Sequence, residues 1–331
     1  MSGQKHYLVT GGTGFIGTAL VRRLLADGHR VRILDDESRG RAARLADVGG
    51  DVAFVEADVR DAAAVASAVK GVDGVIHLAA VNGTEFFYAK PDLVLDVGVR
   101  GMINVIDACM KAGVGELVLA SSSEVYQTPP RIPTDETAPL CVPDPLNPRY
   151  SYGGGKIISE LMAINYGRKH FIRVMIFRPH NVYGPDMGWE HVLPQFVLRM
   201  KALAAESKAG AVRFPIQGTG RETRAFVFID DFVDGFMMMM ARGEHLGIYH
   251  VGSEEETAIA DVAALVGEFY GREVEIVPGA APEGAAPRRC PDISKLKALG
   301  YRPKHALRDG LPVLARWYDA NADKAPKKPG S

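Results

Sequence analysis

The sequence predicts an α/β protein built on a doubly wound parallel sheet, with a smaller mixed α/β lobe beside it. Six short runs rich in β-branched residues, HYLVT, RVRILD, VAFVEAD, GVIHLAA, ELVLASS and VMIFRP, fill the first 180 residues, with enough chain between them for crossover helices. The first run leads straight into Gly11-Gly12-Thr13-Gly14-Phe15-Ile16-Gly17, at the head of an amphipathic stretch. The second ends in Asp35-Asp36.

Taken in order, apolar spacing predicts helices over 15–27, 61–70, 92–112 and 150–168. Between the fifth run and the last of these lies QTPPRIPTDETAPLCVPDPLNPR, whose prolines and turn residues exclude a regular element. A long irregular stretch inside a packed domain is often a functional loop. After residue 180 the order becomes mixed: a loop and helix over 185–206, extended segments near 211–217 and 223–229, and a helix over 230–241. A strand at 248–251 and helices at 257–270 and 309–320 complete it. The tail from 321 to 331 reads as disordered.

Composition narrows the function classes. A net charge of −1 argues against a nucleic-acid partner, which needs a basic face. No apolar window is long enough for a membrane span, and the opening MSGQKHYLVT enters a strand without a signal-peptide core, so the cytoplasm is the expected location. Cys109, Cys141 and Cys290 are too few and too scattered for a disulfide framework or a zinc site, and no metal is expected.

Glycines after a first strand allow a tight turn, a close backbone approach to a pyrophosphate and close helix packing, while the helix N-terminus favours the anion. Gly11, Gly14, Phe15, Ile16 and Gly17 are therefore expected to hold a dinucleotide in a Rossmann-like domain. A carboxylate at Asp35 can accept from both ribose hydroxyls and would repel a 2′-phosphate, which favours NAD over NADP. Arg39 and Arg41 just beyond it are the residues that could hold such a phosphate instead. The expected division is an NAD-binding domain over 1–180, with a segment returning to it near 226–251. The substrate lobe is expected over 181–225 and 252–320.

The fifth run enters Ser121-Ser122-Ser123-Glu124-Val125-Tyr126, and a later helix carries Tyr152-Gly153-Gly154-Gly155-Lys156. Tyr152 and Lys156 share a helical face, so the ammonium is expected to pull the phenol below its usual value near ~10 and make it a base. Three glycines in a row oppose helix formation, and either a close approach of sugar or nicotinamide or a loosely wound helix start is expected there.

In these motifs the chain resembles the extended short-chain dehydrogenase/reductase family, in its nucleotide-sugar epimerase, dehydratase and decarboxylase branch. TGGTGFIG, Asp58-Val59, HLAA at 77–80, SSSEVY, YGGGK and RPHNVYGP at 178–185 stand in the family's order over nearly the whole chain. The resemblance implies NAD as cofactor, with Asp58 and Val59 at the adenine and Leu78, Ala79 and Ala80 along the cofactor's path. It also implies that Ser122 bonds the reacting hydroxyl, that Tyr152 is the base, and that Lys156 positions both Tyr152 and the ribose. The chain departs from the family at Gly98, where Asn is usual, at Gln127, where Gly is usual, and at Gly155, where Ser is common.

Family chemistry implies a nucleotide-diphosphate sugar oxidised to a 4-keto sugar. Epimerisation is the first expectation, with decarboxylation of a uronic acid or 4,6-dehydration as alternatives. A binding protein that has kept the fold and lost turnover is the rival class. Glu124, expected on the same side of an extended strand as Ser122, is the candidate second acid or base, with Ser123 beside it. Asn181 and Arg224 are expected at the diphosphate by family position, and Arg289 at the diphosphate or a sugar carboxylate. Arg288 reads as solvated, and His180, His191 and Glu85 as able to border the sugar. The resemblance further implies a homodimer packed through 92–112 and 150–168.

Overall fold

In the computed structural model, which describes residues 3–49, 52–206, 210–281, 284 and 286–326, all six runs become strands. They are β1 (His6–Thr10), β2 (Arg30–Asp35), β3 (Val52–Glu56), β4 (Gly74–His77), β5 (Glu116–Ala120) and β6 (Arg173–Pro179). The chain continues through β7 (Val182–Tyr183), β8 (Val212–Pro215), β9 (Thr223–Ala225), β10 (Val227–Phe228), β11 (Gly247–Val251), β12 (Glu256–Ala258), β13 (Val274–Val277) and β14 (Arg288–Arg289). Helices α1 (Phe15–Ala26), α2 (Ala62–Ala68), α3 (Thr84–Ala89), α4 (Pro91–Leu95), α5 (Gly101–Ala112) and α6 (Ser151–His170) belong to the first half. In the second half come α7 (Val192–Glu206), α8 (Ile229–Arg242), α9 (Ile259–Phe269), α10 (Ser294–Ala298) and α11 (Leu307–Ala320).

The main sheet has seven parallel strands in the order β11-β6-β5-β4-β1-β2-β3. Strand order reverses at β1, which pairs β2 on one side and β4 on the other, so the turn after β1 opens into the crevice where such sheets bind ligands. Alternate residues divide between two cores. Leu8, Leu34, Val75, Leu117, Leu119, Val174 and Ile176 share one with residues of α2 and α5. Val9, Ile33, Ile76, Val118 and Phe177 join the other, which runs on into the second lobe through Phe196, Phe214, Val262 and Leu314. Each such side chain contributes about 1.5–3 kcal/mol by leaving water, so the two lobes stand on one continuous apolar interior.

The second lobe holds a mixed sheet, β12-β9-β14, and two small parallel pairs, β13 with β8 and β10 with β7. The short elements α3, α10, β7, β13 and β14 were not expected, because two to six residues are too few for a period to show. The helix expected over 92–112 runs unbroken from Pro91 to Ala112 and widens into a π turn at Asp96–Arg100 that contains Gly98. At the far end, Ala322–Lys324 form a 3-10 turn, so the tail is ordered beyond 321, and 327–331 lie outside the described residues. Among the described residues no helix is long and apolar enough to cross a membrane, and no cluster of His, Cys, Asp and Glu could hold a metal.

Candidate functional site

The turn after β1 forms a cradle that side chains would fill. Gly11 has φ +73, and a Cβ there would sit 2.9 Å from the Ala79 nitrogen. A Cβ on Gly17 would overlap the Gly11 carbonyl and lie 2.7 Å from the Gly12 Cα, so the first turn of α1 presses directly on the glycine turn. Gly14 caps α1 without a side-chain hydrogen bond and no acid stands in its first turn, which leaves the helix's positive end open to an anion. Asp35 is buried, with Oδ2 accepting from the Thr13 nitrogen and Oδ1 from the Glu37 nitrogen, each at 2.9 Å. Each carboxylate oxygen keeps a second lone pair for a ribose hydroxyl. The backbone of Leu78 and Ala79 bonds Thr10 across the turn, and Ala80 packs into a small cluster with Phe87 and Tyr152.

These residues suit a dinucleotide. Replacing Gly17 with Ala is expected to cost about 1–3 kcal/mol through backbone overlap, read as a lower urea midpoint, and to abolish cofactor retention on desalting. Arg39 and Arg41 take another course from a phosphate: Arg39 donates to Asn82 O and Glu190, and Arg41 to Asp186 at 2.9 Å. Asp58 is bonded by the guanidinium of Arg60 at 2.6 Å, which holds its carboxyl low against a smaller effect of burial. Val59 lies under α5, where a Cβ on Gly101 would meet it at 2.8 Å.

At the candidate reaction centre β5 ends at Ala120, and Ser122 caps a 3-10 turn, Ser123–Val125, its Oγ accepting from the Glu124 nitrogen at 3.2 Å. Glu124 therefore leaves the strand rather than extending it beside Ser122, which corrects the extended-strand expectation. Ser123 is buried in the same turn. Tyr152 and Lys156 are both buried on α6; the phenol lies close enough to Ser122 for that side chain to oppose the rise in its pKa, and its ring stacks on Phe87 at 5.1 Å and 15°.

The lowered phenol pKa expected from Lys156 is not what the geometry produces. Lys156 Nζ lies 5.7 Å from the Tyr152 ring centroid and donates to Ala120 O at 2.7 Å. Burial pushes the phenol up to about 12, with the Ser122 hydrogen bond opposing, Glu124 adding and Arg39 opposing. Burial also brings Lys156 down to about 8, against the pull of Glu160.

The three glycines have separate explanations. A Cβ on Gly153 would stand 2.8 Å from both Gln127 Nε2 and Glu124 O, whereas Gly154 and Gly155 have ordinary room. What crowds Gly153 is therefore protein, the Gln127 amide and the Glu124 carbonyl. Gln127 has φ 53, and its amide donates to Glu124 O at 2.5 Å. At Gly98 a Cβ would meet nothing within 4 Å.

Facing the turn, Arg289 on β14 donates to Glu124 Oε1 at 2.5 Å. Burial pushes Glu124 up, but Arg289, Arg149 and Arg224 together outweigh it and keep the carboxyl low, hence ionised. Three guanidiniums thus surround one carboxylate, leaving surplus positive charge for an anion. Burial and the neighbouring Arg289 bring Arg224 down to about 10. Arg149, which sequence reasoning missed, comes from a 3-10 turn capped by Asn147 just before α6, and its Nε is buried without a partner. The readable signal was an arginine in a proline-bounded turn three residues before Tyr152.

The remaining candidates are spread around this centre. Asn181 has φ 41 and donates to Ala225 O at 2.8 Å, so one of its donors serves the backbone. His180 is buried with neither ring nitrogen partnered, edge-on to His250 at 4.7 Å, and burial keeps it neutral. Glu85 stands in the first turn of α3, His191 next to Glu190, and Arg288 points outward onto Glu256 at 2.7 Å.

The chain is 33% identical over 322 residues to the UDP-glucose 4-epimerase of Mycolicibacterium smegmatis, covering 94% of this chain and 97% of that one. It is 32% identical over 314 residues to UDP-glucuronic acid decarboxylase 4 of Arabidopsis thaliana, covering 93% and 67%. Among solved structures, DesIV, the dTDP-glucose 4,6-dehydratase of Streptomyces venezuelae with NAD and TYD bound, superposes with a TM-score of 0.83 at 31% identity over 96% and 98% of the two chains. Residues 7–252, which carry the glycine turn, Ser122, Tyr152 and Lys156, match one family throughout, and the protein belongs to the NAD dependent epimerase/dehydratase family.

Proposed function

We propose that this protein is an NAD-dependent 4-epimerase of a nucleotide-diphosphate sugar. The observation that carries the reading is the burial of Tyr152 and Ser122 at one site while Glu124 is held ionised by Arg289. Ser122 aligns the sugar hydroxyl and Tyr152 accepts its proton. The glycine cradle would hold the dinucleotide, whose oxidised nicotinamide would supply a hydride acceptor and a positive charge that favours phenolate. Lys156, tethered to Ala120 O, fixes the face of α6 that carries Tyr152. Arg224 and Arg149 supply guanidiniums for the diphosphate, with Asn181 at its edge.

Returning a hydride to the other face of a 4-keto sugar needs no further acid. Dehydration does need a proton donor for the departing hydroxyl, and an ionised Glu124 beside the buried Ser123 suits that poorly. Decarboxylation of a uronic acid is the second reading, favoured by Arg289 reaching the reaction centre next to Glu124, where a guanidinium suits a sugar carboxylate.

A panel of UDP-, GDP-, CDP- and dTDP-sugars, hexoses and hexuronates alike, tests this by product mass and NMR couplings. Unchanged mass with inverted couplings supports the epimerase. Loss of carbon dioxide or water replaces it with the decarboxylase or dehydratase, and no conversion by cofactor-loaded protein points to a binding protein without turnover. Under the epimerase reading Glu124→Gln slows turnover about tenfold by loosening Arg289. A loss of about 10³-fold with sugar binding kept would make Glu124 an acid or base instead. The apolar residues Leu95, Ile103, Ile158, Leu161 and Tyr166, exposed on α4, α5 and α6, support a homodimer, which sedimentation of the full chain tests.

A further inference from the structure

The segment that follows Asp35 crosses the glycine turn and ends on the substrate lobe. Gly40 lies against Thr13 so closely that a Cβ there would overlap the Thr13 Oγ1 and stand 2.7 Å from its carbonyl carbon. The Thr13 carbonyl accepts from the Arg41 nitrogen at 3.2 Å and from Arg44 Nη1 at 3.1 Å. The same arginines reach across to the loop before α7. Arg44 gives Asp186 Oδ2 a bond of 2.7 Å and the Asp186 carbonyl one of 2.8 Å, and Arg41 takes Oδ1 at 2.9 Å. Arg39 bonds Glu190 and lies 5.0 Å over the ring of Phe86 on α3, whose neighbour Phe87 stacks on Tyr152.

The far end of these ties is fixed. Trp189 packs on Trp317 and Tyr318 of α11 at 5.8 and 4.8 Å, and the Tyr318 hydroxyl bonds the Met187 carbonyl. Gly184, two residues before Asp186, would place a Cβ 3.4 Å from the ring of Phe15 in the glycine motif. Three guanidiniums from one lobe thus close on two carboxylates of the other, directly above the turn that cradles the dinucleotide.

We propose that residues 37–44 form an ion-pair latch over the dinucleotide site, seated on Asp186 and Glu190, which sets how long the cofactor stays bound. The inference rests on the cofactor reading above and adds to it a determinant, Asp186 and Glu190, that lies in the second lobe and outside the glycine motif itself. Arg39, Arg41 and Arg44 are positioning residues in this role. Their charge is taken up by Asp186 and Glu190 and is not offered to a phosphate.

The test is exchange of bound NAD for an excess of deuterated NAD, followed by mass spectrometry on the full-length holoprotein. Asp186→Asn/Glu190→Gln is expected to exchange about tenfold faster than wild type, since each partly buried pair lost weakens the closure. Asn is suited to position 186, where φ is 59, so the backbone there is kept. The reversed pair Arg39→Glu/Glu190→Arg is expected to return exchange to within about threefold of wild type, whereas Arg39→Glu alone exchanges fast. Equal exchange rates in wild type and Asp186→Asn/Glu190→Gln overturn the latch and leave the cofactor site standing. A wild-type protein that retains no dinucleotide overturns the cofactor reading and the latch with it.

Discussion

Tyr152→Phe is expected to leave a protein that keeps its cofactor and its sugar yet turns over about 10³-fold more slowly. The ring's stacking on Phe87 survives the change, while the phenol that would take the proton beside Ser122 is gone. Steady-state kinetics with KM and kcat separated check this, because a lost proton acceptor lowers kcat and hardly moves KM. A loss of less than about tenfold would mean that another group accepts the proton. The phenol's rise to about 12 in the protein without cofactor adds a second readout. Binding oxidised dinucleotide should bring the phenol's titration down and binding the reduced form should not, since only the former is cationic beside the ring.

The second large effect concerns stability. Glu160 and Arg178 form an ion pair with both side chains only 2% exposed, closed by Nε at 2.8 Å and Nη2 at 2.6 Å, and Ser121 donates to the same carboxylate. Arg178 continues to the Tyr126 hydroxyl, which meets His250 at 2.6 Å. Glu160→Leu strands a guanidinium in the interior and is expected to cost about 3–5 kcal/mol, measured by urea unfolding. Glu160→Leu/Arg178→Met is expected to recover most of that, because no uncompensated charge is left behind. If the single and double changes cost the same, the pair matters through packing instead of charge.

Much of the fold could be read from the chain because its signals are long and redundant. Six short β-branched runs and the glycine turn point to one sheet, and each constrains the others. The elements that escaped notice, α3 and β14 above all, are short and take their shape from what they touch. Yet they deliver Phe87 to Tyr152 and Arg289 to Glu124. Residue types at the site were legible, since Ser, Tyr and Lys at those intervals have few other uses together. Their electrostatics were not. A helical spacing places Lys156 on the same face as Tyr152, but only the fold reveals that the ammonium is spent on Ala120 O and that burial governs the phenol. Glu124 shows the same limit: its carboxylate is defined by three arginines that lie at 149, 224 and 289, far from it along the chain.

The amide of Gln127 occupies the volume that a methyl group on residue 153 would claim. The two sites are consequently epistatic. A lone Gly153→Ala would evict that amide from its carbonyl and disturb the turn bearing Ser122, whereas the same change beside a small residue at 127 would keep only the overlap with the Glu124 carbonyl and cost less. An engineer who transplants YGGGK into a relative, or a relative's equivalent segment into this chain, must carry the residue at 127 as well.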